Sequence, residues 1–222
     1  MFHYLDDKGF EHRMRQLCGD IMQDLCRTLR EDYDIGANFY LVGSGARNMI
    51  MQNGAESVDL DYNLEIVRCD NFNDCRAIKT AVQNAFNDVL RDYNLDDCDD
   101  STSALTTKKM HFTEGNPTGF SMDVCIVITN ARGNYERLIH EKTGWVVMGS
   151  NNSNRYYWNE APNSANIKKK ADYIKSHGRW PMVRDQYEDI KNRYLTWNDH
   201  NHSSFICYVE AVNNVYNEIR RR

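Results

Sequence analysis

The sequence is poor in residues that break or crosslink a chain. Its 222 residues include 3 prolines, 12 glycines and 7 cysteines without a CxxC pair. So few prolines and glycines exclude a collagen-like or low-complexity chain. The odd cysteine count favours reduced thiols over a disulfide framework or a zinc ribbon. No run approaches about 18 apolar residues, so no membrane span is predicted. Because the first residues also lack a signal-peptide pattern, we expect a cytoplasmic protein with no membrane partner.

The charges are distributed unevenly along the chain. Residues 1–100 hold 10 basic and 20 acidic side chains, whereas residues 101–222 hold 17 and 12. An acidic half suits divalent cations and a basic half suits phosphates, although uneven solvated surface explains the same numbers. With 41% hydrophobic residues and about 150 residues per domain, the chain forms one large domain or two small ones.

Hydrophobic periodicity predicts an α/β part followed by a mostly helical part. Residues 94–104 are predicted to be a solvated, aspartate-rich loop, and residues 46–52 one or two helical turns. The predicted helices cover residues 8–33, 74–93, 133–142, 164–177, 181–197 and 203–220. The predicted strands cover residues 38–42, 57–67, 105–112, 119–129 and 155–158. We therefore divide the chain into a domain over 1–132 and a helical C-terminal lobe over 133–222, an α+β fold class.

Three aspartates are candidates for metal binding. Asp59 and Asp61 lie two apart in an alternating strand, so they point to the same face about 6.5–7 Å apart. Asp123 lies in the middle of an apolar strand, where an unpaired carboxylate is costly to bury. Neighbouring carboxylates also repel one another, and a divalent cation relieves both problems. Oxygen ligands favour a hard ion, so Mg²⁺ or Mn²⁺ is predicted.

A glycine-serine turn follows the predicted strand over residues 38–42. Gly43 and Gly45 permit a turn that exposes backbone N–H groups, and the Ser44 hydroxyl adds a donor. A helix starting there would contribute the positive end of its dipole. Together these groups predict a phosphate site, to which Arg47 is a further candidate contact.

The ordered series VGSGAR, VDLDYNLEIV and FSMDVCIVI resembles the nucleotidyltransferase superfamily, which includes DNA polymerase beta, CCA-adding enzymes and cyclic GMP-AMP synthase-like enzymes. The resemblance covers residues 39–128. It implies a mixed sheet flanked by helices, with Gly43 and Ser44 at the triphosphate of a nucleotide. It also implies that Asp59, Asp61 and Asp123 are catalytic and bind two metal ions. A hydroxyl of an acceptor would then attack the α-phosphorus and release pyrophosphate.

Further expectations rest on this resemblance. A basic helix of the second lobe often meets the triphosphate in this superfamily, so Lys168 and Lys169 are candidate contacts. The interval from Ser44 to Asp59 is 15 residues, longer than usual, and one extra helical turn could absorb it. Among the aromatic residues 156–158, base stacking competes with core packing, which is favoured for at least two of the three.

Several alternatives stay open. The acceptor is a small molecule, an RNA or a protein, and no DNA partner is predicted. The helical part is short for the second lobe of a cyclic-oligonucleotide synthase, which weighs against that activity. A catalytically silent, nucleotide-binding member of the fold is the second hypothesis. A ribonuclease built on Arg193 and His200 is a third, weaker one because its pattern is short and common.

Overall fold

The computed structural model describes residues 1–142, 154–161, 165–199 and 202–221. The strands of these regions are β1 Phe2–Tyr4, β2 Gly36–Leu41, β3 Met51–Asn53, β4 Val58–Arg68, β5 Asp99–Asp100, β6 Leu105–Thr106, β7 Phe120–Thr129, β8 Tyr135–Glu141 and β9 Arg155–Glu160. The helices are α1 Lys8–Asp32, α2 Gly43–Ala46, α3 Cys75–Asp92, α4 Ala165–Ser176, α5 Trp180–Thr196 and α6 Ser204–Arg221.

A mixed sheet forms the centre of the molecule. Its strand order is β2-β4-β7-β6-β5, and β8 pairs with β7 and with β9. The central pair, β4 and β7, is parallel, and the other pairs are antiparallel. This is the mixed sheet with flanking helices that was predicted.

Helices α1 and α3 contribute to the hydrophobic core of the sheet. Asp7 and Asp74 cap them, each accepting a backbone N–H bond at 2.9 Å, a contact that satisfies a donor left free in the first turn. The alternation of β4 buries Leu60, Tyr62 and Leu64 in this core. The polar residues between them must therefore lie on the opposite face of the sheet.

A second hydrophobic cluster lies among the C-terminal helices. It contains Ile174 of α4, Val183 and Ile190 of α5, and Val212 of α6. Met49, which follows α2, belongs to this cluster as well. The segment beside the glycine-serine turn is thus packed against the helical part of the chain.

Two predicted helices are wrong. Residues 133–142 contain β8, which pairs with β7 and buries Leu138 and His140, two positions apart. Residues 46–52 contain the end of α2 and then β3, which pairs with β1 rather than extending a helix. In both segments pairing with a neighbouring strand outweighs the local pattern. Because β8 and β9 extend the sheet, residues beyond 132 contribute to it, and the domain division stays a prediction.

The aspartate-rich loop is not wholly solvated, contrary to prediction. Asp100 receives Lys79 Nζ at 2.6 Å, and its other oxygen lies 2.7 Å from His140 Nδ1. The Lys79 side chain is only 4% exposed and also donates to the Ser101 carbonyl. Burial raises the pKa of Asp100, but the bonds from Lys79 and His140 outweigh this and hold it below its ordinary value. This cluster ties α3 to β5 and β8.

No helix in the described regions is both long and apolar enough to span a bilayer.

Removing the buried cation should destabilise the fold strongly. We expect Lys79→Met to lower the free energy of unfolding by about 3 kcal/mol, because Asp100 would lose its buried cation and keep only the contact with His140. Denaturant unfolding at neutral pH measures the loss. Lys168→Met, at an exposed helical position, is the matched control and should change stability by less than about 0.5 kcal/mol. Equal losses of stability in the two variants would contradict a stabilising role for the buried Lys79–Asp100 ion pair.

Candidate active site

The structure brings the three predicted aspartates onto one face of the sheet. Asp61 of β4 is the register partner of Asp123 of β7, and Asp59 is the partner of Ser121. Asp59 is exposed, whereas Asp61 and Asp123 are half-buried. Since β4 and β7 are parallel neighbours, a short span of two strands holds all three carboxylates.

Two hydroxyl groups, which sequence reasoning missed, orient the outer carboxylates. Ser121 Oγ donates to Asp59 Oδ1 at 2.5 Å, and Thr106 Oγ1 donates to Asp123 Oδ1 at 2.6 Å. The signal for Ser121 was its position two residues before Asp123, on the same face. Thr106 could not be found this way, because it reaches Asp123 through the pairing of β6 with β7.

Electrostatic repulsion is strongest at Asp61. Its burial, together with the charges of Asp123 and Asp59, raises its pKa to about 6, although Arg47 and Arg137 oppose the shift. Burial also raises the pKa of Asp123, an effect that the Thr106 hydrogen bond opposes and Asp59 reinforces. The site therefore holds more negative charge than its surroundings neutralise.

The donor chemistry of the three aspartates fits a hard divalent cation. All the donors are carboxylate oxygens, and Asp61 lies within electrostatic reach of the other two. As the side chains stand, no three His, Cys, Asp or Glu residues in the described regions are grouped closely enough to hold a metal ion. Asp59 and Asp123 are instead directed to Ser121 and Thr106. Binding would require these carboxylates to exchange a hydroxyl partner for the ion.

The glycine-serine turn lies directly against Asp61. Gly43 has a φ of +63°, and a Cβ placed there would overlap the Asp61 carboxylate. The Val42 N–H donates to the Asp61 carbonyl at 2.8 Å, which fixes the turn to β4. Only glycine satisfies both the backbone and the close approach. The predicted phosphate turn, including half-buried Ser44, thus adjoins the predicted metal ligands.

Arginine side chains hold the carbonyl groups of this turn. Arg47 donates to the Gly43 carbonyl at 2.7 Å and lies 4.2 Å from the centre of the Tyr208 ring in α6. Arg15 of α1 donates to the Gly45 carbonyl at 2.6 Å. Arg47 is therefore at the site, joined to the helical part of the chain, and its contact with a nucleotide stays a prediction.

A lysine of the helical part interacts electrostatically with the acidic site, and sequence reasoning missed it. Burial lowers the pKa of Lys191 in α5, an effect that Cys207 and Asp59 oppose. Lys191 Nζ lies 3.4 Å from the hydroxyl of Ser204, the first residue of α6. No motif marks these positions, because only the packing of α5 and α6 brings them towards β4.

The lysines that were predicted from sequence lie elsewhere. Lys168 and Lys169 are exposed on α4, and Lys170, the next residue, donates to Asn213 of α6 at 2.6 Å. No hydrogen bond or ion pair joins Lys168 or Lys169 to an aspartate of the site within the described regions. Their contact with a nucleotide stays a prediction.

Aromatic packing agrees with expectation. Tyr156 stacks on His140 at 4.2 Å, and Trp158 packs against the core, whereas Tyr157 is 38% exposed.

The pair considered for ribonuclease activity cannot be evaluated, since His200 lies outside the described residues. Arg193 forms an ion pair with Glu210 at 2.5 Å.

Several solved structures are similar to this chain. The chain matches the Vibrio cholerae DncV cyclic AMP-GMP synthase, in complex with a linear intermediate, at a TM-score of 0.61 and 10% identity over 95% of this chain and 68% of that one. It matches Escherichia coli MS115-1 CdnC with ATP at 0.54 and 11%, over 93% and 61%. It matches the Elizabethkingia meningoseptica CdnE cyclic dinucleotide synthase with GTP and Apcpp at 0.50 and 14%, over 90% and 69%.

These similarities establish the fold. The chain has the nucleotidyltransferase fold that its motifs predicted, and it spans 61% to 69% of the length of these three proteins. No protein-family model and no curated protein sequence matches the chain. The similarities give no support to the catalytically silent alternative.

Gly43→Ala should be far more disruptive than the same change at Gly54. Both glycines have positive φ, +63° and +58°, so each substitution costs about 1–2 kcal/mol of backbone strain. Of these two positions, only at Gly43 would the added Cβ meet another side chain. Its overlap with the Asp61 carboxylate should add at least about 2 kcal/mol to the loss of stability. Urea unfolding of the two variants measures the difference. In a Gly43→Ala/Asp61→Ala protein part of the loss should be recovered, and strict additivity would contradict the contact.

Asp61→Asn should stabilise the protein at neutral pH in the presence of a chelator. The pKa of Asp61 is higher in the folded chain, so the folded state binds more protons between about pH 4 and pH 6. Ionisation above pH 6 therefore destabilises the fold, by roughly 2 kcal/mol after allowing for solvent screening. Asp61→Asn removes this penalty and should raise the Tm by several degrees at pH 8 but not at pH 4. Asp20→Asn, at an exposed site of α1, should leave the Tm unchanged at both pH values.

Proposed function

We propose that this protein transfers a nucleoside monophosphate from a nucleoside triphosphate to a hydroxyl group. The observation that carries the proposal is the contact between the Gly43 turn and Asp61, itself paired with Asp123 across β4 and β7. A phosphate at this turn would lie beside three carboxylates and be repelled by them. Such an arrangement is useful where a cation is bound together with the phosphate.

The reaction forms a bond between the acceptor oxygen and the α-phosphorus and breaks the bond to pyrophosphate. Mg²⁺ or Mn²⁺ held by Asp59, Asp61 and Asp123 would supply positive charge to the triphosphate. Asp123 is the candidate to accept the proton of the acceptor hydroxyl, because it lies opposite Asp61 on the neighbouring strand of the same face. Thr106 orients that carboxylate.

The phosphates would be held from two sides. On the sheet side are the backbone of Gly43 and the hydroxyl of Ser44. On the helical side is Lys191, whose charge interacts with that of Asp59 and whose ammonium lies beside the Ser204 hydroxyl. We place Lys191 ahead of Lys168 and Lys169 as the lysine that contacts the triphosphate, because its charge interacts with that of Asp59.

A nucleotide is the acceptor that the comparisons favour. DncV and CdnE are cyclic dinucleotide synthases, so in those proteins the hydroxyl belongs to another nucleotide. We therefore extend the proposal to a second nucleotide as acceptor. This differs from the expectation that the short helical part drew from sequence. An acceptor of another kind, whether a small molecule or an RNA, would leave the transferase reaction itself unchanged.

Pyrophosphate release from each ribonucleoside triphosphate tests the proposal. With Mg²⁺ or Mn²⁺, we expect release from one or two of the four triphosphates and a phosphodiester product on mass spectrometry. Asp59→Asn/Asp61→Asn should reduce the rate by at least about 100-fold, because an electrostatic contribution to the transition state is lost. Asp20→Asn should retain the wild-type rate. Pyrophosphate release that survives the double substitution would refute the assignment of these aspartates.

A further inference from the structure

The N-terminal strand β1 connects the glycine-serine turn to helix α5. On one side it pairs with β3, with Tyr4 opposite Met51, and the Leu5 N–H donates to the Ile50 carbonyl at 3.1 Å. Residues 50 and 51 come shortly after α2 in the chain. On its other side β1 packs along α5. The strand therefore lies between α5 and the segment that follows the turn in the chain.

Helix α5 contacts β1 at two points that are two helical turns apart. The Tyr4 hydroxyl donates to the Arg184 carbonyl at 2.8 Å, and the Arg184 guanidinium lies 3.9 Å from the Tyr4 ring centre. Arg184 also donates to the Asn48 carbonyl, just after the turn. Further along α5, Asn192 forms a pair of bonds with the backbone of Phe2, accepting from its N–H at 2.7 Å and donating to its carbonyl at 2.9 Å.

This arrangement places an aromatic ring under Lys191. Lys191 Nζ lies 3.9 Å from the centre of the Phe2 ring and 5.6 Å from that of Tyr187. Its hydrogen-bond partner is Ser204 Oγ at 3.4 Å, and no carboxylate in the described regions forms an ion pair with it. Ring faces attract a cation and fix its position without neutralising its charge. The ammonium is thus held in place and keeps its charge for an anion.

We propose that Phe2 and Asn192 are positioning residues that hold the Lys191 ammonium towards the phosphate site, so that β1 is part of the binding machinery. This inference rests on the proposed function, since it specifies how one phosphate contact of that site is oriented. Phe2 touches no reacting atom. It acts through Lys191, and Asn192 acts by fixing the Phe2 backbone.

The long interval between Ser44 and Asp59 fits this role. An extra helical turn was expected there, but the additional residues form β3, the partner of β1. The insertion therefore provides the edge on which the N-terminal strand is held. Without that edge, Phe2 would be held from the α5 side alone, by Asn192.

Binding of inorganic tripolyphosphate to the full chain, with Mg²⁺ present, tests the inference by calorimetry. Lys191→Ala should weaken binding, and Phe2→Leu should weaken it roughly two- to five-fold through loss of the cation–π contact. Phe2→Tyr keeps a ring and should bind as the wild type does. His3→Ala, at an exposed position of the same strand, should have no effect. In nucleotide turnover, Phe2→Leu should raise KM by the same factor and leave kcat unchanged.

A double variant separates positioning from general stability. In Lys191→Ala protein the Phe2→Leu change should cause no further loss of tripolyphosphate affinity, because the ring has no cation to hold. A further loss of equal size, or an unchanged affinity for Phe2→Leu alone, would overturn the inference. If Lys191→Ala binds tripolyphosphate normally, the inference fails while aspartate-dependent pyrophosphate release still supports the function. If no pyrophosphate is released, the function fails and the tripolyphosphate series still decides the inference.

Discussion

Repulsion among three carboxylates is the constraint on which the site depends. Folding places Asp61 opposite Asp123, with Asp59 two residues earlier in β4 on the same face, because β4 and β7 are adjacent parallel strands with a buried apolar face. The hydrophobic core therefore fixes an electrostatically unfavourable group of charges, and burial together with this repulsion raises the pKa of Asp61. Hydroxyl donors at Ser121 and Thr106 reduce that cost without neutralising it. Stability and proposed function oppose each other at this point, as they do in many active sites.

The rest of the architecture serves to bring positive charge and donors towards this acidic face. The turn approaches from β2, with Gly43 close enough to Asp61 that no side chain fits between them. Arg47 links that turn to Tyr208 of α6, and Lys191 approaches from α5. Two hydrophobic clusters, one under the sheet and one among the helices, fix these elements. The site is thus built at the meeting of two packed regions, and Met49 connects the turn with the second.

Sequence reasoning succeeded where periodicity was strong and failed where pairing between distant segments decided the outcome. The alternation around Asp59 and Asp61 was sufficient to place both on one face, and the fold followed from the order of motifs. The region 133–142 was misassigned because its local pattern permits a helix, and its pairing with β7 was not visible. Asp100 was taken as solvated because Lys79 and His140 are distant in sequence. Lys191 was missed for the same reason, since no local pattern marks a lysine that reaches the site only through helix packing.

The contact between Phe2 and Asn192 has a kinetic consequence. The two residues are 190 positions apart, so their bonds close a very long loop. During synthesis, the strands and helices of the first 130 residues are available to pair early, whereas β1 finds its place on α5 only after residue 192 has been made. The acidic face can therefore assemble before the lysine above it is fixed. Completion of the phosphate site is then a late folding step, and a chain truncated before α5 would display the carboxylates without the cation that complements them.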